Sequence, residues 1–243
     1  MHGATPLSDT RVSSGIALAG AALLLFAAGC GGGSGGGQSA AERVKKIAEI
    51  AEKRPSGGGS VLVGALKDSD AEVRTAALVG LGCYITEGNR PEIEQATFDP
   101  APRVRAAAVT TLSLYKDDNA TEKLGQLLAD PNESVRVAAA CGLGVVPTDK
   151  AIVLLLGSVE SNTSPAAKER SLKSLLPKLG LRLHRRMDPA DEKEWWAIVE
   201  GLKHSQLVRK AFENCKVKLV YRHQPEDRIP FAPGHKVEDR VED

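Results

Sequence analysis

At 243 residues the chain is long enough for one elongated domain, and its 42% apolar but only 4% aromatic content suits helices packed through small side chains. Its formal net charge of +1 lacks the strongly basic balance of sequence-independent nucleic-acid binding, so nucleic acid is not an expected partner.

Residues 1–14 are polar, with one positive charge at Arg11 inside the stretch before the first apolar run. Gly15–Ala28 is an apolar run of 14 residues, short of the roughly 20 needed to span a bilayer. A charged region, an apolar core and small residues at its end have the layout of a secretion signal. The end, Ala27-Ala28-Gly29-Cys30, resembles the lipobox of bacterial lipoproteins, with Ala27 where that family has Leu. The resemblance implies a signal peptide over 1–29, with cleavage before Cys30 and diacylglyceryl attachment to its sulfur. Residues 30–38 then read as a lipidated cysteine and a flexible Gly/Ser tether. The implied location is the bacterial cell envelope, anchored to a membrane. Gly31 is not the Asp that retains enterobacterial-type lipoproteins in the inner membrane, and the choice of membrane stays open.

Ser39–Lys53 places Val44, Ile47, Ile50 and Ala51 on one face, an amphipathic helix ended by Arg54-Pro55-Ser56-Gly57-Gly58-Gly59. It reads as the N-terminal cap of an array. From there a pattern recurs every 31 residues: Asp68/Asp99/Asp130, Val73/Val104/Val135, Arg74/Arg105/Arg136, Ala76/Ala107/Ala138, Ala77/Ala108/Ala139 and Leu81/Leu112/Leu143. A period between about 20 and 50 residues marks a solenoid or other repeat array. Each unit has a first helix (Leu62/Ile93/Leu124, Ala65/Ala96/Leu127, Leu66/Thr97/Leu128), a turn at the aspartate, and a second helix with one apolar stripe such as Val104, Ala107, Ala108 and Leu112. Such a unit cannot bury its stripe alone and must stack. The predicted fold is all-α, an α-solenoid over 39–221.

The pattern Asp-Pro-x-x-x-Val-Arg-x-Ala-Ala-x-x-x-Leu-Gly, clear over 60–146, resembles the HEAT repeat, in particular its short PBS-lyase HEAT-like variety. Departures are Ser69 for Pro in the first copy and Ser113 for Gly in the second. The resemblance implies a superhelix of helix-turn-helix units. It also implies a ladder of hydrogen bonds between units, carried by Asp68, Arg74, Asp99, Arg105, Asp130 and Arg136; an arginine row that binds an anion is the alternative use of the same residues.

Beyond Val146 the period drifts. Ile152, Leu155, Leu156 and Val159 form one stripe, and Ser164-Pro165 reads as N-cap and first residue of a helix that Pro177 should kink or end. Asp188-Pro189 opens another helix through Trp195, Trp196, Val199 and Leu202. A last helix over about Ser205–Val220 carries Val208, Ala211, Phe212, Cys215 and Leu219 on one face. Residues 222–243 read as a disordered charged tail.

Chemical motifs are scarce. There is no phosphate-binding Gly-Lys-Ser/Thr, no Gly-x-Ser-x-Gly elbow and no His-Glu-x-x-His, and none of the five histidines precedes a Glu, unlike the HEAT-like di-iron hydroxylases. No catalytic residue, metal, cofactor or small-molecule substrate is expected. Cys141 reads as a small buried residue, and an exported location permits one disulfide among Cys83, Cys141 and Cys215 without choosing the pair. Trp195 and Trp196 lie about 100° apart on a helix, so they cannot be equally buried; with Arg182, Arg185 and Arg186 they form the candidate partner surface. Lys178, Arg209 and Lys210 extend that basic cluster, which is either solvated or in contact with anionic lipid or cell-wall polymer.

These readings favour a lipid-anchored, non-enzymatic scaffold that binds a protein or peptide along a concave face. The rivals are an enzyme or accessory subunit with a site near residues 178–204, which would place His184 or His204 beside a carboxylate in a cleft, and a structural protein that binds the cell wall.

Overall fold

The computed structural model describes residues 38–161, 164–181 and 192–220, with backbone alone for 192–194. The predicted leader, Cys30, the tether and the charged tail lie outside the described residues, as do His184, Arg182, Arg185 and Arg186. Among the described residues the regular elements are helices, and no helix is long and apolar enough to cross a membrane.

Helix α1, Ala40–Lys53, starts at Ser39, whose hydroxyl accepts from the Glu42 amide while the Glu42 side chain accepts from the Ser39 amide. This capping box satisfies two donors that the helix end leaves over. Arg54 closes the helix in the left-handed conformation, φ 46°. Three regular units follow. Their first helices are α2 (Gly58–Ala65), α4 (Arg90–Gln95) and α6 (Asp118–Leu127); their second helices are α3 (Ala71–Leu81), α5 (Pro102–Leu112) and α7 (Glu133–Val145). The degenerate unit has α8 (Asp149–Ser161) and α9 (Pro165–Lys178), and α10 (Glu192–Lys203) and α11 (Gln206–Asn214) complete the described chain.

The order of packing makes this an all-α solenoid. Helices α1, α3, α5, α7 and α9 pack each on the next in one continuous layer, and α2, α6 and α8 each pack on the second helix of their own unit, as α4 does on α5. The cap helix α1 therefore occupies a second-helix place. The equivalent first-helix residues Leu62, Ile93 and Leu124 are fully buried, and one continuous core runs from Ile47 to Phe212. The stripe on each second helix is wider than one face. In α5, Val104, Ala108, Val109, Thr111 and Leu112 are buried and Ala107 is half-buried, because a middle helix has neighbours on both sides.

Some expectations change. Cys141 is exposed, since it follows Ser134 by seven positions and precedes Val145 by four, on the outward row of α7. Cys83, Cys141 and Cys215 are free thiols. The last helix ends at Asn214, not near Val220, because Lys216 takes a left-handed conformation at φ 55°. Pro177 lies at the penultimate position of α9, and Gly180, at φ 69°, turns the chain back so that the Leu181 amide reaches the Leu176 carbonyl at 2.9 Å. That is the closure a left-handed glycine allows after a helix.

Leu124 is fully buried between units. Leu124→Ala is expected to lower unfolding stability by about 3 kcal/mol, measured from urea denaturation followed by far-ultraviolet circular dichroism.

Candidate functional site

In the structure arginines and aspartates pair along the array in three rungs, two between successive repeats and one from outside them, and Arg136 joins none of them. Each aspartate first orders its own turn: Oδ1 of Asp68, Asp99 and Asp130 accepts the amide of Asp70, Ala101 and Asn132, each at 2.8 Å. Each carboxylate then receives the arginine of the preceding unit through Nε and Nη2. Arg74 donates to Asp99 at 2.8 and 2.9 Å, and Arg105 to Asp130 at 2.8 and 2.8 Å. The unforeseen rung is Arg43 of α1, which donates to Asp68 at 2.8 and 3.0 Å. It lies 31 residues before Arg74, where the rest of the repeat pattern is missing.

The other edge of each guanidinium is fixed by its own turn. Nη1 of Arg74 donates to the Asp68 and Ser69 carbonyls, and Nη1 of Arg105 to those of Asp99 and Pro100. Two parallel N–H···O bonds to one carboxylate are the strong form of this pair. Burial acts to raise the pKa of Asp68, Asp99 and Asp130, yet arginine hydrogen bonds, the backbone amide and Coulomb attraction outweigh it, and all three titrate below the usual carboxylate value. The bond to the next aspartate, opposed by desolvation, raises Arg74 and Arg105.

The ladder stops at Arg136. Its Nη1 donates to the Asp130 and Pro131 carbonyls at 2.7 and 3.0 Å, so the side chain is posed like the others. Its Nε is buried and, among the described residues, has no hydrogen-bond partner. Ser161 stands 31 residues after Asp130, and among the described residues no carboxylate meets the arginine. Arg136 lines a cavity of about 570 Å³ with Leu128, Asp130, Val153, Leu154 and Ser161.

A second set of bonds between units was not foreseen. The Tyr84 hydroxyl donates to the Ile50 carbonyl at 3.0 Å, and the Tyr115 hydroxyl to the Thr86 carbonyl at 2.8 Å. The two tyrosines are 31 residues apart, which is the signal that could have found them. Gly58 is needed there, since a Cβ on it would come within 2.3 Å of the Tyr84 hydroxyl. The Arg90 guanidinium lies 4.0 Å above the Tyr115 ring and pairs with Asp117.

The C-terminal candidates separate. Trp195 is 4% exposed, its Nε1 directed at the Val159 carbonyl at 3.4 Å, so it faces the core rather than a partner; Trp196 is half-buried. Lys178 donates to the Val146 carbonyl and burial lowers its pKa, which makes it an internal tie, while Arg209 and Lys210 are exposed. His204 is exposed, with Nδ1 3.2 Å from Arg209 Nη2. Lys203, 2% exposed, is ion-paired with Glu160 and Glu200. Among the described residues no cluster of His, Cys, Asp and Glu could hold a metal.

Residues 90–176 match the family described as HEAT repeats, and residues 60–78 match the HEAT repeat associated with sister chromatid cohesion. These units are HEAT repeats. Such repeats commonly mediate protein binding. No curated protein matches the chain.

Two outcomes test the ladder. Asp99→Ala leaves Arg74 unpaired at 13% exposure and is expected to cost about 2–3 kcal/mol, read from the urea midpoint. Because the native aspartate values are depressed, the stability the rungs contribute is full above the ordinary carboxylate value of about 3.9 and is lost as pH falls through the native values. Asp99→Ala should therefore flatten the loss of stability between neutral pH and strong acid.

Proposed function

We propose that this protein is a scaffold, a HEAT-repeat array anchored through lipid at Cys30 in the bacterial cell envelope, which binds a protein or peptide partner and carries out no catalysis of its own. The observation that supports partner binding is a row of outward positions on the second helices. Val79, Thr110 and Cys141 occupy one equivalent place in α3, α5 and α7, and all three are exposed. Cys83, Leu114 and Val145 occupy another, at or just past the ends of these helices; Cys83 is half-buried beside Arg54, Leu114 is 36% and Val145 57% exposed. Neither row carries a charge, whereas the preceding outward place holds the Glu72–Arg103 ion pair. Solvent-exposed positions near the centre of an interface are depleted in charge, and solenoids bind along surfaces built from equivalent positions of successive repeats. In this reading the second-helix layer supplies the concave binding face.

The anchor rests on the residues of the leader. A 14-residue apolar run ends on Gly29-Cys30 and is followed at once by Gly/Ser. A diacylated or triacylated cysteine holds stably to a bilayer where a single chain is marginal, and the tether lets the array reach a partner nearby.

In-cell crosslinking of a tagged chain, followed by capture from solubilised membranes and mass spectrometry, should yield one dominant envelope protein. Leu114→Arg with Val145→Arg, in a variant whose circular dichroism matches that of the parent, should reduce that crosslink at least tenfold. Cys30→Ser should move the chain out of the membrane fraction and weaken the crosslink. A dominant partner unaffected by the double arginine variant would place binding elsewhere, and no enriched protein from any version would sink the scaffold.

A further inference from the structure

Arg136 is held as a rung arginine without a rung. Its Nη1 is bonded to the Asp130 and Pro131 carbonyls as Arg74 and Arg105 are to theirs, so the guanidinium is already oriented. At every earlier rung the Nε/Nη2 edge grips a carboxylate 25 residues on. After Arg136 that place falls to Ser161, and counting back from the helix cap Ser164, as Asp130 stands two before Asn132, it falls to Asn162. The one-residue insertion and both neutral residues leave the edge without an anion among the described residues. A buried Nε with no acceptor is a costly state that folded proteins avoid or reserve for a ligand.

The surroundings describe the ligand. Asp130 takes both Nε and Nη2 of Arg105 and also feels the charge of Arg136, so among the described ladder groups, four arginines to three aspartates, one positive charge is in excess at this end. The cavity, about 570 Å³, is much larger than a bare carboxylate, and Leu128, Val153 and Leu154 line the rest of it. That combination suits an acidic side chain carried by a peptide with apolar neighbours better than a free small anion.

We propose that the Arg136 edge and the cavity between α6 and α8 form a carboxylate-binding site that accepts an aspartate or glutamate side chain of a protein partner, completing the ladder in trans. This deepens the scaffold reading and rests on it. The site lies at the turns, apart from the uncharged second-helix row, and adds a charge-specific contact to that surface. Nη2 donates to one carboxylate oxygen, and Nε, which the isolated chain buries, donates to the other once the groups over it move aside, as Arg105 uses both on Asp130.

The test uses the full-length chain in detergent micelles and two octapeptide libraries, one with a fixed central Asp and one with Asn in its place. The Asp library should be retained and the Asn library bound at least tenfold more weakly. Ser161→Asp and Asn162→Asp each supply a carboxylate at one of the two positions that the repeat count allows for a rung. At least one should raise the melting temperature and cut Asp-peptide binding tenfold or more. Equal retention of the two libraries, no retention of either, or undiminished binding in a variant whose melting temperature has risen would overturn the site. A partner still crosslinked through the Leu114 and Val145 row would in those cases leave the scaffold standing. The Arg136 Nε–H nuclear resonance, assigned with Arg136→Lys, identifies any internal occupant. A carboxylate-bound position in the isolated chain that is lost on truncation after residue 220 would overturn the proposal in favour of the protein's own acidic tail.

Discussion

The array depends on one bond used twice. Each ladder aspartate offers one oxygen to the turn amide two residues on and both oxygens to the arginine of the unit before. Arg74 and Arg105 each offer one nitrogen to their own turn and two to the unit after. Local turn geometry and the spacing between units are therefore a single constraint. A turn cannot relax without releasing an inter-unit pair, and a unit cannot shift without unpinning a turn. This explains why the interval is so regular while the residues between its fixed points vary. With the aspartate side chains 5–16% exposed, these pairs lie where charge-assisted bonds are stronger than surface salt bridges.

The same constraint decides what was legible in the sequence. Positions fixed by the interval could be read without coordinates: Asp99, Arg105, the first-helix anchors Ile93 and Leu124, and the alanines between second helices. Arg43 could not, because α1 shares the ladder but not the turn or the paired alanines that made the pattern visible. Tyr84 and Tyr115 keep the interval but hydrogen-bond to carbonyls, and a carbonyl leaves no trace in side-chain patterns. For Cys141, small neighbours within a second helix suggest burial, but a helix step of about 100° puts it on another face from the buried Ala140 and Gly142. Of the C-terminal surface, only the separation of Trp195 from Trp196 was legible from helix geometry; which one turned inward depended on α8.

Where the interval breaks, the protein changes its means of cohesion. Among the described residues after α9 the ladder gives way to other contacts: Lys203 is buried between Glu160 and Glu200, and Trp195 sits against Val159, binding α10 to the end of α8. A buried charge cluster of this kind fixes geometry where hydrophobic contact alone would allow sliding, provided every charge is paired. Packing of α11 on α8 through Val208, Ala211 and Phe212 closes the apolar end of the array.

The junction between the two regimes runs through Arg136, and it does not need the arginine's Nε/Nη2 edge. There α7 and α9 approach so closely that a Cβ on Gly144 would lie 3.0 Å from Ser174. The Ser164 hydroxyl donates to Glu133, and Lys178 donates to the Val146 carbonyl, so two further bonds cross the same interface. In an array stabilised by nearest-neighbour interfaces, cohesion supplied by one set of contacts releases another from that duty. The internal arginines must keep their aspartates for the units to stay in register. Arg136 alone in the series is held in the same pose by its own turn while its neighbour is secured by other means, and that is the condition under which a structural bond becomes available for recognition.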